Sequence, residues 1–307
     1  GLPARKRCRA PSRLLPMKTI DDGIAYIRIS QFQEHTASDL AKYLIDLQKK
    51  NHLKGLVLDL RNDPGGLLNA AVGVVATFVG PDQVVVSTKG RTNDSNRTFK
   101  TRQTDYLNYG QDPDDDLVAK VPPEAKTVPM VVLINAASAS ASEIVSGALQ
   151  DHKRAKIMGQ QSFGKGSVQT VLPLRSLDGG EPTTGIKLTT SRYYTPSGRS
   201  IQATGITPDI EIADTAEGNY ATFNIREADL AHHLKSDEEI RAYEKKQKEE
   251  SEKQLDESEQ PKTRYFFGDK NDFQLQQAVK VLKGEKYLTG FEKKKEVTDK
   301  GKTAAKK

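Results

Sequence analysis

The chain has 307 residues, of which 36% are hydrophobic, so it is long enough for one large domain with an appendage. Its single cysteine, Cys8, excludes a disulfide framework and a cysteine-rich metal site. The net charge of +6 comes from the two ends: residues 1–20 carry six basic side chains and no acid, and residues 293–307 carry seven lysines and two acids. Because the body between them is acidic, this pattern indicates solvated tails and argues against nucleic-acid binding.

No apolar stretch approaches the roughly 18 residues that would span a bilayer. The N-terminus lacks an initiator Met and the apolar region of a signal peptide. We therefore expect Gly1 to be the start of a processed, truncated or mispredicted product, and upstream sequence could be missing.

From Asp22 onward, β-rich runs alternate with helical periodicity, which predicts an α/β domain. In chain order, the first predicted elements are a strand at 23–29, a helix at 36–50, a strand at 56–58, an apolar helix at 67–79 and a strand at 84–86. Residues 88–127 are polar and are predicted to form a long surface excursion. The core then continues with a buried strand at 128–134.

The second half of the core is predicted to contain a helix at 143–151, a strand at 155–158, and a hairpin of strands 168–172 and 187–192 around the glycines at 179 and 180. Two amphipathic helices are expected beyond the core, at 226–234 and 273–282, separated by a Glu- and Lys-rich solvated helix or linker at 237–260. The predicted division is a basic leader or disordered remnant at 1–20, a core at 21–213, a helical extension at 214–290 and a disordered Lys-rich tail at 291–307.

A run of small residues, NAASASASE at 135–143, lies between a predicted strand and a predicted helix. Backbone N–H groups and the positive end of a helix converge there, so negative charge would be stabilised, as an oxyanion beside a nucleophilic serine requires. Ser140 and Glu143 also have the S-x-x-E spacing of a capping box, and Ser142 is a candidate N-cap. Spacing alone does not choose a nucleophile among Ser138, Ser140 and Ser142.

Lys165 lies between two glycines in GQQSFGKG at 159–166. A lysine in an apolar pocket can take the proton of a serine hydroxyl, because desolvation penalises its charged form. The same run matches the first seven positions of a P-loop, G-x-x-x-x-G-K, and so suggests a nucleotide hydrolase. That alternative is disfavoured, because Gly166 stands where a Ser or Thr would hold magnesium and the acidic strand at 56–59 precedes the loop instead of following it.

Three motifs, in this order, resemble the carboxyl-terminal processing proteases, the tail-specific Ser/Lys peptidases of family S41, in their proteobacterial form. The motifs are LDLRNDPGG at 58–66, ASASASEI at 137–144 and FGKGSVQ at 163–169. The resemblance extends from about Asp22 to Ile212 and continues more weakly through READL at 226–230. It implies an α/β fold of the S41, crotonase/Clp-like type, with a mixed sheet, flanking helices and a C-terminal helical extension.

By position, the resemblance implies that Ser140 is the nucleophile, that Lys165 is the general base and that Gln169 orients the lysine amine. The N–H of Ala141 and that of a glycine at 65 or 66 would form the oxyanion hole, with Gly65 favoured over Gly66. The reaction implied is hydrolysis of peptide bonds near the C-terminus of protein substrates through an acyl-enzyme. No cofactor is expected, and no metal, since no His, Cys or carboxylate spacing forms a ligand set.

The resemblance also implies a PDZ domain ahead of the core, which would bind the free C-terminus of the substrate. The 20 or so residues before the core are too few for such a domain. We therefore expect either that it was lost upstream of Gly1 or that this chain recognises tails without it. The expected partners are polypeptides with free C-termini, further copies of the chain and an adaptor protein, and the expected compartment is the periplasm. A catalytically idle fragment that binds peptides or an adaptor is the other alternative.

Overall fold

The computed structural model describes residues 17–20, 23–50, 53–108, 110–174, 184–219, 226–230, 234 and 267–291. The strands are β1 Met17–Thr19, β2 Ile24–Arg28, β3 Gly55–Asp59, β4 Val84–Gly90, β5 Arg97–Lys100, β6 Met130–Ile134, β7 Lys156–Gly159, β8 Ser167–Pro173, β9 Gly185–Tyr194 and β10 Ile210–Glu211. The helices are α1 Thr36–Lys50, α2 Leu68–Phe78, α3 Gln103–Tyr106, α4 Glu124–Thr127, α5 Ala141–Asp151 and α6 Phe273–Lys283, with 3₁₀ turns at Asn93–Ser95, Pro113–Asp115 and Glu227–Asp229.

A six-stranded sheet of order β1-β2-β3-β6-β7-β10 forms the centre of the fold. Strands β2, β3, β6, β7 and β10 are parallel to one another, and β1 is antiparallel to β2 at the edge of the sheet. Every residue of β3 and β6 is buried. This burial explains their uninterrupted apolar sequences, because a parallel sheet is covered on both faces.

Alternate residues of the central strands contribute to two separate hydrophobic clusters, as the two-residue period of a strand requires. Leu56 and Leu58 belong to a cluster with α1, α2 and α5. Val57 and Leu133 belong to a cluster on the opposite face, which is covered by Leu275 and other residues of α6. Helix α6 therefore completes the covering of the central sheet.

A second sheet, antiparallel and of order β5-β4-β9-β8, extends from the core. Its long strand β9 is exposed over its first five residues and alternates between buried and half-buried only near its end. Strand β8 is an edge strand and begins two residues after Lys165. The two sheets therefore differ in burial as well as in strand direction.

The structure confirms the predicted α/β fold with a mixed sheet and flanking helices. The predicted helices at 36–50, 67–79, 143–151 and 273–282 are present with end shifts of at most two residues. The predicted surface excursion at 88–127 was wrong in part, since it contributes the end of β4 and all of β5 to the second sheet. Backbone pairing to neighbouring strands decided this, although the sequence there is polar.

Two further predictions need correction. The helix expected at 226–234 is only the 3₁₀ turn at Glu227–Asp229 in the residues described there. The leader predicted for residues 1–20 includes β1, which pairs with β2. Residues 1–16, the linker at 237–260, the turn at 179–180 and residues 292–307 lie outside the described residues. Among the helices that are described, none has both the length and the apolar character needed to cross a membrane.

Candidate active site

Three loops meet at the carboxyl-terminal edge of the adjacent parallel strands β3, β6 and β7. They comprise residues 60–67, 135–140 and 160–166. Ligands of open α/β sheets bind at this edge, because the connecting loops surround a crevice there. The three sequence motifs thus come together through the strand order of the sheet, although they are far apart in the chain.

The first two loops are joined by hydrogen bonds from one to the other. The Asn62 N–H donates to Asn135 Oδ1 at 2.9 Å, and Asn135 Nδ2 donates to Asn62 Oδ1 at 2.6 Å. The carbonyl of Asp63 accepts from the Ala139 N–H at 3.0 Å and from the Ser142 hydroxyl at 3.0 Å. The glycine loop, residues 60–67, and the serine run, residues 135–143, are therefore held together by hydrogen bonds.

Ser140 has a strained backbone, with φ of 55° and ψ of −110°. A residue with a Cβ rarely adopts a positive φ, and such strain costs about 1–3 kcal/mol. Ser140 stands at the N-cap of α5, directly after the loop that leaves the buried strand β6. A strained serine at a strand-to-helix turn is the geometry of a nucleophile elbow, in which the hydroxyl is presented at the edge of the sheet.

Burial distinguishes the three serines that spacing left equivalent. Ser138 and Ser142 are completely buried. The Ser138 hydroxyl donates to the Leu60 carbonyl at 2.8 Å, and that of Ser142 donates to Asp63 as described. Ser140 is half-buried. The hydroxyls of Ser138 and Ser142 thus hold the two loops together, and Ser140 is the member of the run that is accessible to a substrate.

Gly65 packs directly against this serine, with φ of +101°. A Cβ at this position would lie 2.8 Å from the Ala139 carbonyl oxygen, 2.9 Å from the Ala141 nitrogen and 2.9 Å from the Ser140 Cβ. Its own N–H donates to Asp63 Oδ1 at 2.8 Å. Glycine is required here by both the backbone conformation and the close approach.

Gly66 is held against Phe32 on the other side of the loop. A Cβ at Gly66 would lie 2.0 Å from the Phe32 carbonyl oxygen, while the Gly65 carbonyl accepts from the Phe32 N–H at 2.9 Å. In the described part of the chain, the Gly66 N–H has no hydrogen-bond acceptor. The Ala141 N–H, as the first of α5, is one of the donors that a helix start leaves without an intrahelical acceptor.

Glu143 connects the serine run to the lysine loop, residues 160–166, through hydrogen bonds to its carboxylate. Its Oε2 atom accepts both the Ser140 N–H at 2.7 Å and the Lys165 N–H at 2.9 Å. Its Oε1 atom accepts the Gly164 N–H and the Ser162 hydroxyl, each at 2.6 Å. One buried carboxylate therefore positions the backbones of Ser140 and Lys165 relative to each other.

Sequence reasoning assigned Glu143 only the capping role that its S-x-x-E spacing indicates. The capping contact is present, since Glu143 accepts the Ser140 N–H, but the three bonds to the lysine loop depend on the tertiary fold. Burial raises the pKa of Glu143 to about 7, and its hydrogen bonds act in the opposite direction.

The loop around Lys165 does not have the geometry of a phosphate-binding loop. Its Gly164 and Lys165 N–H groups, which would have to contact phosphate in a P-loop, are already donated to Glu143. The chain then enters strand β8, whereas a P-loop opens a helix. Both observations count against the nucleotide-hydrolase alternative.

Lys165 is half-buried and Gln169, on β8, is exposed. The Lys165 backbone lies beside that of Ser140 through Glu143. Within the described residues, no hydrogen bond joins the Lys165 amine to the Ser140 hydroxyl or to the Gln169 side chain. The structure therefore brings the Ser140 and Lys165 backbones together without a hydrogen bond between their side chains.

Asp63 is completely buried, and its Oδ2 atom has no hydrogen-bond partner in the described part of the chain. Burial raises the pKa of this carboxyl to about 7; the bond from Gly65 and the charge of Arg28 oppose the shift, and the charge of Asp59 adds to it. An ionised carboxylate with a bare buried oxygen is costly, so the neutral acid is favoured.

Arg61, four residues before Gly65, anchors the glycine loop to the sheet. Its guanidinium donates to Asp59 Oδ1 at 2.9 Å, to Asp59 Oδ2 at 2.7 Å, to Asp272 at 2.9 and 2.5 Å, and to Gln274 Oε1 at 2.9 Å. All of these side chains are nearly or completely buried. The start of α6 thus contributes to holding the strand that leads into the candidate site.

No group of His, Cys, Asp and Glu side chains in the described ranges could hold a metal ion. An α/β protein with a strained serine at the edge of its sheet is typical of hydrolases with a serine nucleophile. The comparisons with known proteins show a peptidase. The sequence profile of peptidase family S41 matches residues 23–212, and the chain therefore belongs to peptidase family S41.

The chain is 41% identical over 272 residues to a carboxy-terminal-processing protease of Bartonella bacilliformis, covering 87% of this chain and 53% of that protein. It is 39% identical over 189 residues to the carboxy-terminal processing protease CtpB of Bacillus subtilis, covering 62% of this chain and 34% of that protein. A crystal structure assigned as an S41 protease of Bacteroides fragilis has the same fold, with a TM-score of 0.54 at 17% identity, covering 88% of this chain and 57% of that one. The chain spans about half, or less, of the length of these relatives.

Proposed function

We propose that this chain is a serine endopeptidase that cuts near the C-terminus of protein substrates, with Ser140 as nucleophile and Lys165 as general base. The observation that carries the proposal is the strained, accessible Ser140, whose backbone shares the Glu143 Oε2 atom with the backbone of Lys165. A strained nucleophile and a base held by one buried side chain are pre-organised for acyl transfer.

In the proposed reaction, Ser140 Oγ attacks the carbonyl carbon of the scissile peptide while Lys165 Nζ takes the hydroxyl proton. The lysine amine must be neutral to accept it. The tetrahedral intermediate then breaks the C–N bond, and Lys165 returns the proton to the leaving amine. A water molecule, deprotonated by the same amine, hydrolyses the ester and releases Ser140.

The oxyanion would be stabilised by the N–H groups of Ala141 and Gly66. Gly65 was favoured from the sequence, but its N–H is engaged by Asp63 Oδ1. The N–H of Gly66 has no acceptor among the described residues, and a helix start supplies that of Ala141. Two preorganised donors of this kind are a large source of catalysis in acyl transfer.

Among the described residues, the side chains of Lys165, Gln169 and Ser140 are not hydrogen-bonded to one another, which fits a site that completes its hydrogen bonds when substrate binds. Catalytic hydrogen bonds are often long or absent before the Michaelis complex forms. In the proposal, Gln169 then accepts from the lysine amine and orients it towards Ser140. Both residues stay in the proposed machinery on this basis.

The specificity for C-termini is proposed from the names of the relatives in Bartonella and Bacillus, which are both carboxy-terminal processing proteases. A periplasmic location, self-association and an adaptor partner are proposals on the same footing. The described helix α6 uses its apolar face on the central sheet, so a partner would have to bind other surfaces of the C-terminal region.

The test is to incubate the chain with a loosely folded protein that bears an apolar free C-terminus, and to identify the products by mass spectrometry. We expect cleavage by the parent and a loss of about 10⁴-fold or more in the Ser140→Ala variant, as for removal of a serine nucleophile. Ser146→Ala is the matched control, because it removes a buried hydroxyl of the same helix that donates to the carbonyls of Ser142 and Glu143 within α5, and it should keep most of the activity.

A second arm uses the same substrate with an amidated C-terminus, and reduced cleavage there would support recognition of the free carboxylate. An active Ser140→Ala variant would contradict the proposed nucleophile. A parent that binds the substrate without cutting it would favour the idle peptide-binding alternative. Stabilisation against heat by nucleotide with magnesium would instead favour the nucleotide hydrolase, through linkage of binding to folding.

A further inference from the structure

The loop that carries Lys165 is held from two sides. Glu143 contacts its inner side, as described above. Its outer side contacts Gln202 and Glu227, and Glu227 lies beyond the part of the chain that matches the family, which ends at residue 212. The second set of contacts therefore includes a segment C-terminal to the matched family domain.

Gln202 is completely buried and uses both ends of its amide. Its Oε1 atom accepts the Gly166 N–H at 3.1 Å, directly after Lys165. Its Nε2 group donates to Glu227 Oε1 at 3.1 Å and to the Leu234 carbonyl at 2.8 Å. Since a backbone N–H can only donate, the contact with Gly166 fixes the orientation of the amide and directs its N–H bonds towards the C-terminal segment.

A second bond connects the same segment to the other side of Lys165. The Glu227 N–H donates to the Phe163 carbonyl at 2.9 Å. The fit is close, because a Cβ at Gly166 would lie 2.2 Å from the Gln202 nitrogen. Glu227 and Gln202 thus contact residues two before and one after Lys165, so a shift of either contact would move the lysine.

We propose that Gln202 and Glu227 are positioning residues that set the Lys165 amine relative to Ser140, so that the base depends on a segment C-terminal to the family core. This inference rests on the proposed function. The two residues act through the backbone at Phe163 and Gly166 and do not touch the substrate. A displacement of about 1 Å at a catalytic group can cost about 10²-fold in rate, which is enough to measure.

The test is a charge exchange across the contact. In Gln202→Glu, a carboxylate would face Glu227 at hydrogen-bond distance, and the repulsion should displace the loop. In Glu227→Gln, the new amide oxygen still accepts from Gln202, so the activity should stay close to that of the parent. In the double variant, the new amide nitrogen at position 227 can donate to the new carboxylate at position 202, which restores that contact with its direction reversed. The Leu234 carbonyl still lacks the donor that Gln202 Nε2 supplies in the parent, so the rescue is expected to be partial.

We expect Gln202→Glu to lower kcat by about 10²-fold with a small change in KM, and the double variant to return within about tenfold of the parent. The rate at which Ser140 is labelled by a fluorophosphonate should follow the same order, because that reaction needs the base but no peptide recognition. The measurements are made at least about 15 °C below the Tm of every variant, on the full chain, so that unfolded protein does not contribute.

Gln150→Glu is the matched control, since Gln150 Nε2 donates to Asp209 Oδ1 at 3.0 Å at the far end of α5. It places a new carboxylate beside Asp209 and away from Lys165, with Arg199 already bonded to the Oε1 atom of residue 150, and we expect kcat within about threefold of the parent. If Gln202→Glu does not fold, Glu227→Ala takes its place, because Glu227 is only half-buried, and a loss of about tenfold in kcat is expected.

Two results would overturn the inference: full activity in Gln202→Glu, or a double variant that folds but stays as slow as Gln202→Glu. Failure of the proposed function looks different. In that case the Ser140→Ala or Lys165→Ala variant keeps its activity, whatever happens at residue 202. The two sets of variants therefore separate an error in the positioning role from an error in the chemistry.

Discussion

The two sheets of this protein differ in how firmly they hold the proposed catalytic groups. The central sheet is buried on both faces, and the loops that leave β3 and β6 are joined to each other by backbone and buried side-chain bonds. Ser140 and Gly65 lie in these loops. The second sheet is exposed along the first half of β9, and Lys165 lies in the loop that leads into its edge strand β8.

The comparison indicates that the nucleophile and the base are positioned by different means. The position of Ser140 follows from the parallel strand order and from the strain that this packing imposes. The position of Lys165 depends on the side-chain acceptors Glu143 and Gln202 in addition to the backbone bonds of its loop. Single substitutions should therefore displace the base more easily than the nucleophile.

The largest effect on stability is expected from Arg61→Met, which would break the buried ion pairs at the end of β3 in the central sheet. It leaves the carboxylate of Asp272 buried without its cation and leaves Asp59 with Arg28 as its remaining cation, and the loss of a buried partner costs about 3–5 kcal/mol of unfolding free energy. Urea denaturation measures it. Arg97→Met is the control, because Arg97 is 59% exposed at its side chain and pairs with Asp105 across a surface of the second sheet, so it should cost less than about 1 kcal/mol. Equal losses in the two variants would contradict the comparison.

The next prediction compares the loss of unfolding free energy caused by a Leu→Ala substitution in each of the two sheets. Leu133→Ala on β6 removes a completely buried side chain that packs between the sheet and α6, and should cost about 2–5 kcal/mol. Leu188→Ala on β9 removes a side chain that is 45% exposed and should change the unfolding free energy by about 0.5 kcal/mol or less. A large loss at Leu188 would mean that the exposed face of β9 is covered by something in solution, and would weaken the contrast.

The smallest expected effect, counted for each pH unit, concerns the pH dependence of stability through Asp63, in the loop at residues 60–67. The pKa of Asp63 is raised in the folded protein to about 7 from an ordinary value of 3.8, so the folded state binds the extra proton between these values. Stability from this group is present below about pH 4 and is lost as the pH rises to about 7. Asp63→Asn cannot ionise, and its stability relative to the parent should increase with pH across this window, by at most about 1.4 kcal/mol per pH unit.

Urea denaturation of both proteins in steps of one pH unit, from about pH 5 to about pH 8, tests this expectation. Glu143, whose pKa is raised in the same range, is common to both proteins and cancels in the difference. Asp82→Asn is the control, since Asp82 is exposed on the surface beside Arg102 and should give no dependence of this sign. A difference that is flat or falls with pH would show that Asp63 is ionised and paired in the folded state.

Much of the secondary structure could be predicted from local sequence patterns. Helix α1 has its buried leucines at helical spacing, and β3 and β6 are short apolar runs, so their periods and lengths identify them. Strand β5 was missed because its sequence is polar, and it forms only through pairing with β4. The single turn at Glu227–Asp229 was predicted as a longer helix, because amphipathic spacing does not show whether an apolar face finds a partner.

The candidate site could be predicted only in part. The S-x-x-E spacing pointed to Glu143 as a cap, but three of its four hydrogen bonds come from residues 19 to 22 positions further along the chain. The bond between Arg61 and Asp272 joins residues 211 positions apart, and no local pattern indicates it. The Gly65 N–H donates to Asp63 Oδ1, which is the reason that Gly66 is proposed as the oxyanion donor, and two adjacent glycines in the sequence do not indicate this bond.

The sequence by itself determined the α/β class, most of the helices and strands, and the three motifs that place the chain in family S41, because these depend on local periodicity and residue type. Only the tertiary structure decided which serine is accessible, which carboxylate joins Ser140 to Lys165, and which distant segment contacts the lysine loop. Those features depend on the order of parallel strands and on burial. Both are set by packing between residues that are far apart in the chain.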